Sequence, residues 1–107
     1  MRALELLAET NTLTIGPVKV VVDQHAIDRA QTRRVAPAKV DMVLRKLPEI
    51  SRDLNTIDSG SRFWVFDPEL NVALGLRRIS SRELKFVLKT LWRGRPMEHN
   101  VAGTLVV

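Results

Sequence analysis

His25 and Arg29 stand four residues apart, the spacing that brings two side chains onto one face of a helix. An imidazole beside guanidinium donors suits RNA cleavage by 2′-hydroxyl attack, which needs a base for the hydroxyl and cations for the charge that develops on the phosphorus centre. Arg33 and Arg34 follow one turn later and add donors. Asp23 is placed to cap such a helix. At the amino end of a helix the dipole favours anions and disfavours imidazolium, so His25 there would be a neutral base beside a bound phosphate. Asp23 or Asp28 could equally pair with these cations, and a lone histidine is as compatible with a structural or surface role. His99, in PMEHNVAG, falls in an irregular stretch and qualifies as an acid by residue type alone. Two isolated histidines without a matching carboxylate pattern make no metal motif. Neither a Gly-rich phosphate loop nor a nucleophile elbow occurs, so neither a metal nor a cofactor is expected.

A second set of chemically able residues is cationic. Between Arg77 and Arg95 lie Arg77, Arg78, Arg82, Lys85, Lys89, Arg93 and Arg95, opposed only by Glu83. That segment carries +6 of the chain's net +5, and the remaining ten cations and eleven carboxylates leave −1. Positive charge gathered in one stretch suits a phosphate backbone, whose binding is driven by counterion release. A solvated basic face that serves solubility would account for the same residues.

The elements that must position these groups follow from periodicity. The 107 residues suffice for one domain spanning 1–107, with a single core. Leu4, Leu7 and Ala8 give residues 2–9 the pattern of a short docking helix within 1–12. Val18–Val22 reads as a strand, with Gly16-Pro17 as a break before it. A helix from Gln24 to about Thr32 follows Asp23, and Pro37 opens a second with Val40, Val43, Leu44 and Leu47 on its apolar side. Residues 62–67, 70–79 and 83–93 read as three strands, and GTLVV within 97–107 as a last edge strand. The expected fold is α+β: a small antiparallel sheet of four to five strands packed on two or three helices that precede it. Strict alternation along 83–93 puts Leu84, Phe86, Leu88, Thr90 and Trp92 on one face and Lys85, Lys89 and Arg93 on the other. Asn71, Ala73 and Gly75 on the neighbouring strand are small and would floor a groove edged by those cations and Arg77. The same small residues would also make room for another helix.

Taken together, VVVDQHAIDRAQTRRVAPAKVDMVL and LNVALGLRRISSRELKFVLKTLWRGRP resemble a known group. The strand, the His-Ala-x-x-Arg helix and the closing Lys-Thr-apolar-apolar-Arg motif are similar to short bacteriophage proteins of the barnase/EndoU/RelE-like nucleases, which include RelE- and BrnT-like toxins. The likeness covers residues 18–93. It implies a RelE/barnase-like fold and a metal-independent endoribonuclease with a catalytic group of His25, Arg29, Lys89 and Arg93. It also implies RNA contacts from Thr90; charge adds Arg34, Arg77, Arg78, Arg82, Lys85 and Arg95. Ala26 and the QTRR turn depart from the pattern, in which an apolar residue after the histidine and a Gly-rich turn are frequent.

Three readings follow. The first is an RNA-directed phage or toxin-like domain that cleaves RNA. The second is a non-catalytic accessory or virion protein that binds protein or nucleic acid through its basic face, with the edge strand available for homodimer pairing. The third is an antitoxin-like regulator of a host enzyme. The expected partners are RNA or another polyanion, or a phage or host protein. No stretch is apolar enough for a membrane span and no signal peptide is evident, so the expected location is the cytoplasm, or the virion if phage-encoded.

Overall fold

Valines at alternate positions of Val18–Val22 point Val18, Val20 and Val22 into the interior, where all three are buried. The computed structural model, which describes residues 12–98 and 101–107, sets this strand (β2) in a six-stranded sheet with β1 (Thr12–Ile15), β3 (Arg62–Asp67), β4 (Val72–Arg78), β5 (Leu84–Arg93) and β6 (Thr104–Val106). The order across the sheet is β1-β2-β5-β4-β3-β6. The helix expected over residues 2–9 lies outside the described residues, as does His99.

The α+β class stands, but the sheet is mixed and wider than an antiparallel one of four to five strands. β3, β4 and β5 form the antiparallel meander that the sequence suggests. β6 pairs parallel with β3 once the chain has returned across the sheet after β5, and β2 pairs parallel with β5 because the chain crosses beneath the sheet between β2 and β3 instead of turning back beside its neighbour. Gly16-Pro17 does not end a strand. With Gly16 at a φ of 56° it closes a hairpin in which Ile15 pairs with Val18, so residues 12–15 become an edge strand.

That crossing carries three helices: α1 (Gln24–Thr32), α2 (Pro37–Arg45) and α3 (Ser51–Leu54), the last two joined through a 3-10 turn at Leu47–Ile50. All of them pack on one face. Ala26 and Ala30, then Val40, Val43 and Leu44, then Leu47 and Leu54 meet Phe63, Val65, Leu74, Leu76, Phe86 and Leu88 from the sheet. Phe63 and Phe86 meet edge to face at 5.5 Å. Burial of each large aliphatic or aromatic side chain here contributes about 1.5–3 kcal/mol. Three charged residues are buried among the described residues, Asp41, Asp67 and Arg78, and the last two tie separate elements together. Arg78 is buried and donates to the carbonyls of Asn55, Ile57, Ser80 and Glu83, tying the loop after α3 to the β4–β5 turn. Asp67 is buried and accepts from Lys46 Nζ at 2.6 Å and from the amides of Glu69 and Leu70. No helix among the described residues is long and apolar enough to cross a membrane.

Among the described residues no helix packs on the other face of the sheet, and there the alternation expected for β5 fails. Gly75 pairs with Thr90 but Leu76 pairs with Leu88, so Lys89 is an extra residue in a β-bulge. Past it the parity inverts. Phe86 and Leu88 point to the core, and so does Leu91, whereas Thr90 and Trp92 turn to the open face. Lys85, Lys89 and Arg93 therefore do not share one side.

Candidate nucleic-acid interface

The open face is assembled from four strands in register. Trp64 on β3, Gly75 on β4 and Thr90 on β5 form one row, and Thr104 on β6 extends it. Phe66, Ala73 and Trp92 form the next. The chain beyond β5 crosses this face, with Arg95 over the Phe66 ring at 5.7 Å. A groove of about 430 Å³ remains, lined by Trp64, Gly75, Thr90 and Trp92, by Arg33, Arg62 and Lys89, and by Met97 and Val101. Its walls are mostly apolar, and among the described residues its charged lining is wholly cationic.

Gly75 makes the floor. A Cβ there would lie 2.5 Å from Thr90 Cγ2 and 3.3 Å from Trp64 Cζ3, so only a bare backbone lets the indole lie across β4. Arg33 makes one wall. It follows α1, and its Nη1 donates to Thr90 Oγ1 at 3.0 Å and to the Leu91 carbonyl. Those bonds hold the guanidinium 4.6 Å from the Trp92 ring centroid, within cation–π range. Burial lowers the Arg33 pKa, and Arg29 lowers it further, yet an arginine stays charged throughout the working range. Trp92 is still 39% exposed.

Lys89 closes the groove toward α1. Its Nζ donates to Asp23 Oδ2 at 3.0 Å, while Asp23 Oδ1 accepts the His25 amide at 2.9 Å as the cap of α1. The His25 amide, then Lys89, hold the Asp23 carboxyl below its ordinary pKa, overcoming a smaller upward effect of burial. One carboxylate thus joins the first turn of α1 to the bulge.

The expected catalytic group is divided by this geometry. Asp23 brings Lys89 to the residue pair that starts α1, and His25 and Arg29 are exposed along that helix. Arg93 is not with them. The inverted parity sends it to a different cavity, with Arg34 and Lys39, on the helix side of the sheet's end. Of the expected RNA contacts, Thr90 lines the groove, and Arg95 lies beside it over Phe66. Arg77 is exposed and donates Nε to the Gly60 carbonyl, next to Arg62 across the β3–β4 pair. Lys85 is half-buried opposite Lys19, and Arg82 is exposed in the β4–β5 turn, at the far end of β5 from Trp92. Arg78 is buried and spent on four carbonyls, so it is a structural tie and no RNA contact.

Trp64, Trp92 and Arg62 do not stand out in the sequence as binding residues, whereas Arg33 does, with Arg34, as a guanidinium donor following His25 and Arg29. A signal for the first was present: in RFWVFD the alternation sets Arg62, Trp64 and Phe66 together, opposite Phe63 and Val65. No family model matches the chain, and no curated protein or solved structure matches it.

Proposed function

We propose that this chain is an RNA-directed domain that holds single-stranded RNA on the face of its sheet opposite α1, α2 and α3. The observation that carries the reading is the Arg33–Trp92 stack, fixed by Thr90 and Leu91 at the wall of a groove floored by Gly75 and Trp64. Unpaired bases stack on aromatic rings and on guanidinium planes, and cations along the same groove take the backbone. A duplex, with its bases already stacked, has no use for such a platform.

RNA cleavage is the second reading. It is supported by the Asp23 bridge, which sets Lys89 beside the helix start that carries His25, and by the likeness of residues 18–93 to barnase/EndoU/RelE-like nucleases. In that chemistry His25 would take the 2′-hydroxyl proton, and Lys89 and Arg29 would meet the charge on the transferring phosphate.

Tryptophan fluorescence read during titration with oligouridylate tests the first reading. Quenching that weakens steeply with salt, and that Trp92→Ala abolishes, is the expected result. Unchanged fluorescence at low salt would rule the groove out. Incubation of the same RNA in EDTA tests the second: cleavage lost in His25→Ala supports a nuclease, and an intact strand bound by clean protein leaves a binding domain.

A further inference from the structure

Arg33 and Trp92 face the groove, but the residues that follow them in the chain, Arg34 and Arg93, turn to the opposite side of the sheet's end. There, with Lys39 and Asn71, they line a second cavity of about 210 Å³. Among the described residues that line it, three are cations and none is a carboxylate. Arg34, Lys39 and Arg93 form no ion pair and no side-chain hydrogen bond among the described residues, unlike Lys19, Arg45, Lys46 and Lys89. Like charges collected around one small cavity repel unless an anion joins them.

The backbone gives a second, independent indication. Arg34 and Asn71 are the two non-glycine residues with left-handed backbone among those described, at φ of 54° and 57°, and both line this cavity. Arg34 occupies the position after the α1 cap in a Schellman motif: its amide donates to Gln31 at 3.2 Å and the Val35 amide to Ala30 at 2.9 Å. Glycine is the usual occupant, because it escapes the clash of Cβ with the backbone. Here a long cationic residue stands there instead, and it lines the cavity. Asn71, whose backbone carbonyl accepts from the Gly94 amide at 2.8 Å, lines the same cavity and carries a side-chain amide.

We propose that this cavity binds a phosphate monoester, gripped by Arg34, Lys39 and Arg93 with Asn71 as a neutral donor. A monoester carries close to two charges near neutral pH and offers three terminal oxygens, which match three cations better than the single charge of a diester. The occupant is either free phosphate or the terminal phosphate of a strand whose bases lie on Trp92 just around the sheet's end. The strand-end assignment rests on the RNA reading of the groove; the monoester site does not.

Amide NMR of the wild type and of Arg34→Gly, titrated with inorganic phosphate and with dimethyl phosphate, tests the site. Gly relieves the left-handed backbone, so this variant keeps the fold, and its thermal midpoint should equal or exceed that of the wild type. The expected result is that inorganic phosphate shifts the amides of Arg34, Asn71 and Gly94, that dimethyl phosphate does so far less, and that Arg34→Gly responds to neither. No shift, or an equal shift in Arg34→Gly, overturns the proposal. Oligouridylates with a 5′-phosphate, a 3′-phosphate or neither then separate the sources. A terminal phosphate that tightens binding on the order of tenfold in the wild type and not in Arg34→Gly identifies a strand end. Equal binding of all three, with the inorganic phosphate shifts intact, overturns the strand-end assignment in favour of free phosphate. Phosphate shifts without any RNA binding would defeat the groove reading and leave the monoester site standing.

Discussion

The Arg33 guanidinium lies 4.6 Å from the centroid of the Trp92 ring, held there by two bonds from one nitrogen. Lysine at position 33 would keep the charge but lose the flat surface and the fixed fork. Arg33→Lys is therefore expected to lower oligouridylate affinity on the order of tenfold with little change in salt dependence, whereas Arg33→Ala lowers affinity and flattens the salt dependence together. Fluorescence titrations at several salt concentrations separate the two. Equal affinity for the wild type and Arg33→Lys would show that the stack takes no part in binding.

Gly75 is expected to tolerate no side chain. The added methyl of Gly75→Ala meets Thr90 Cγ2, which belongs to a β-branched residue with few rotamers, and the ring of Trp64. A loss of about 1–3 kcal/mol in denaturant unfolding is expected. Thr90→Ser removes Cγ2 and keeps the hydroxyl that accepts from Arg33, so the double variant should recover most of that loss. Additive losses in the double variant would contradict the contact.

The contrast between β4 and β5 shows what the sequence makes legible. Along β4, Val72, Leu74 and Leu76 alternate with Ala73, Gly75 and Arg77, and the strand keeps that phase throughout. Along β5 an uninterrupted alternation is equally readable, yet the bulge at Lys89 inverts it. The one trace of the bulge in sequence is the apolar spacing Phe86, Leu88, Leu91, a step of three where a flat strand takes two. Helices α1 and α2 were legible because Asp23, Pro37 and the periodic apolar residues are local signals. The parallel pairings of β2 with β5 and of β6 with β3 join residues far apart in sequence, and no local pattern encodes them. The groove was legible in part: local alternation gives Gly75 as its floor and Lys89 at its edge, but its tryptophans sit on different strands, Arg33 reaches it from a helix end, and Asn71 and Arg93 belong to another cavity.

Stability should fall in acid through Asp67. Burial alone would raise its carboxyl pKa, but the Lys46 ammonium at 2.6 Å and the amides of Leu70 and Glu69 outweigh it, and the net shift is downward. A carboxyl lowered in the fold contributes stability that is fully present above about pH 4 and lost as pH falls through the folded value. Lys46, raised chiefly by its bond to Asp67, contributes fully below about pH 10 and loses that contribution as pH rises through its folded value. Asp67→Asn should cost about 2 kcal/mol near neutrality. The gap between the two unfolding curves should close as the solution is made more acid than about pH 4; a gap constant across that range would place the wild-type carboxyl's contribution elsewhere.

Asp23 is expected to trade binding for stability. Its carboxylate caps α1 through the His25 amide and holds Lys89 Nζ at 3.0 Å, so it competes with any phosphate for that ammonium. Asp23→Ala removes the cap, at a cost of about 1 kcal/mol, and releases Lys89 at the edge of the groove. Lower thermal stability with tighter oligouridylate binding is the expected pair of outcomes, and Asp23→Asn, which still accepts from the amide, should retain more of the stability. The same variants bear on cleavage, because they leave the His25 side chain in place while changing the charge beside it. A nuclease that depends on Lys89 for phosphate should gain substrate affinity when Asp23 is neutral. If binding instead weakens in proportion to the lost stability, Lys89 serves the fold through Asp23 and has no part in holding the strand.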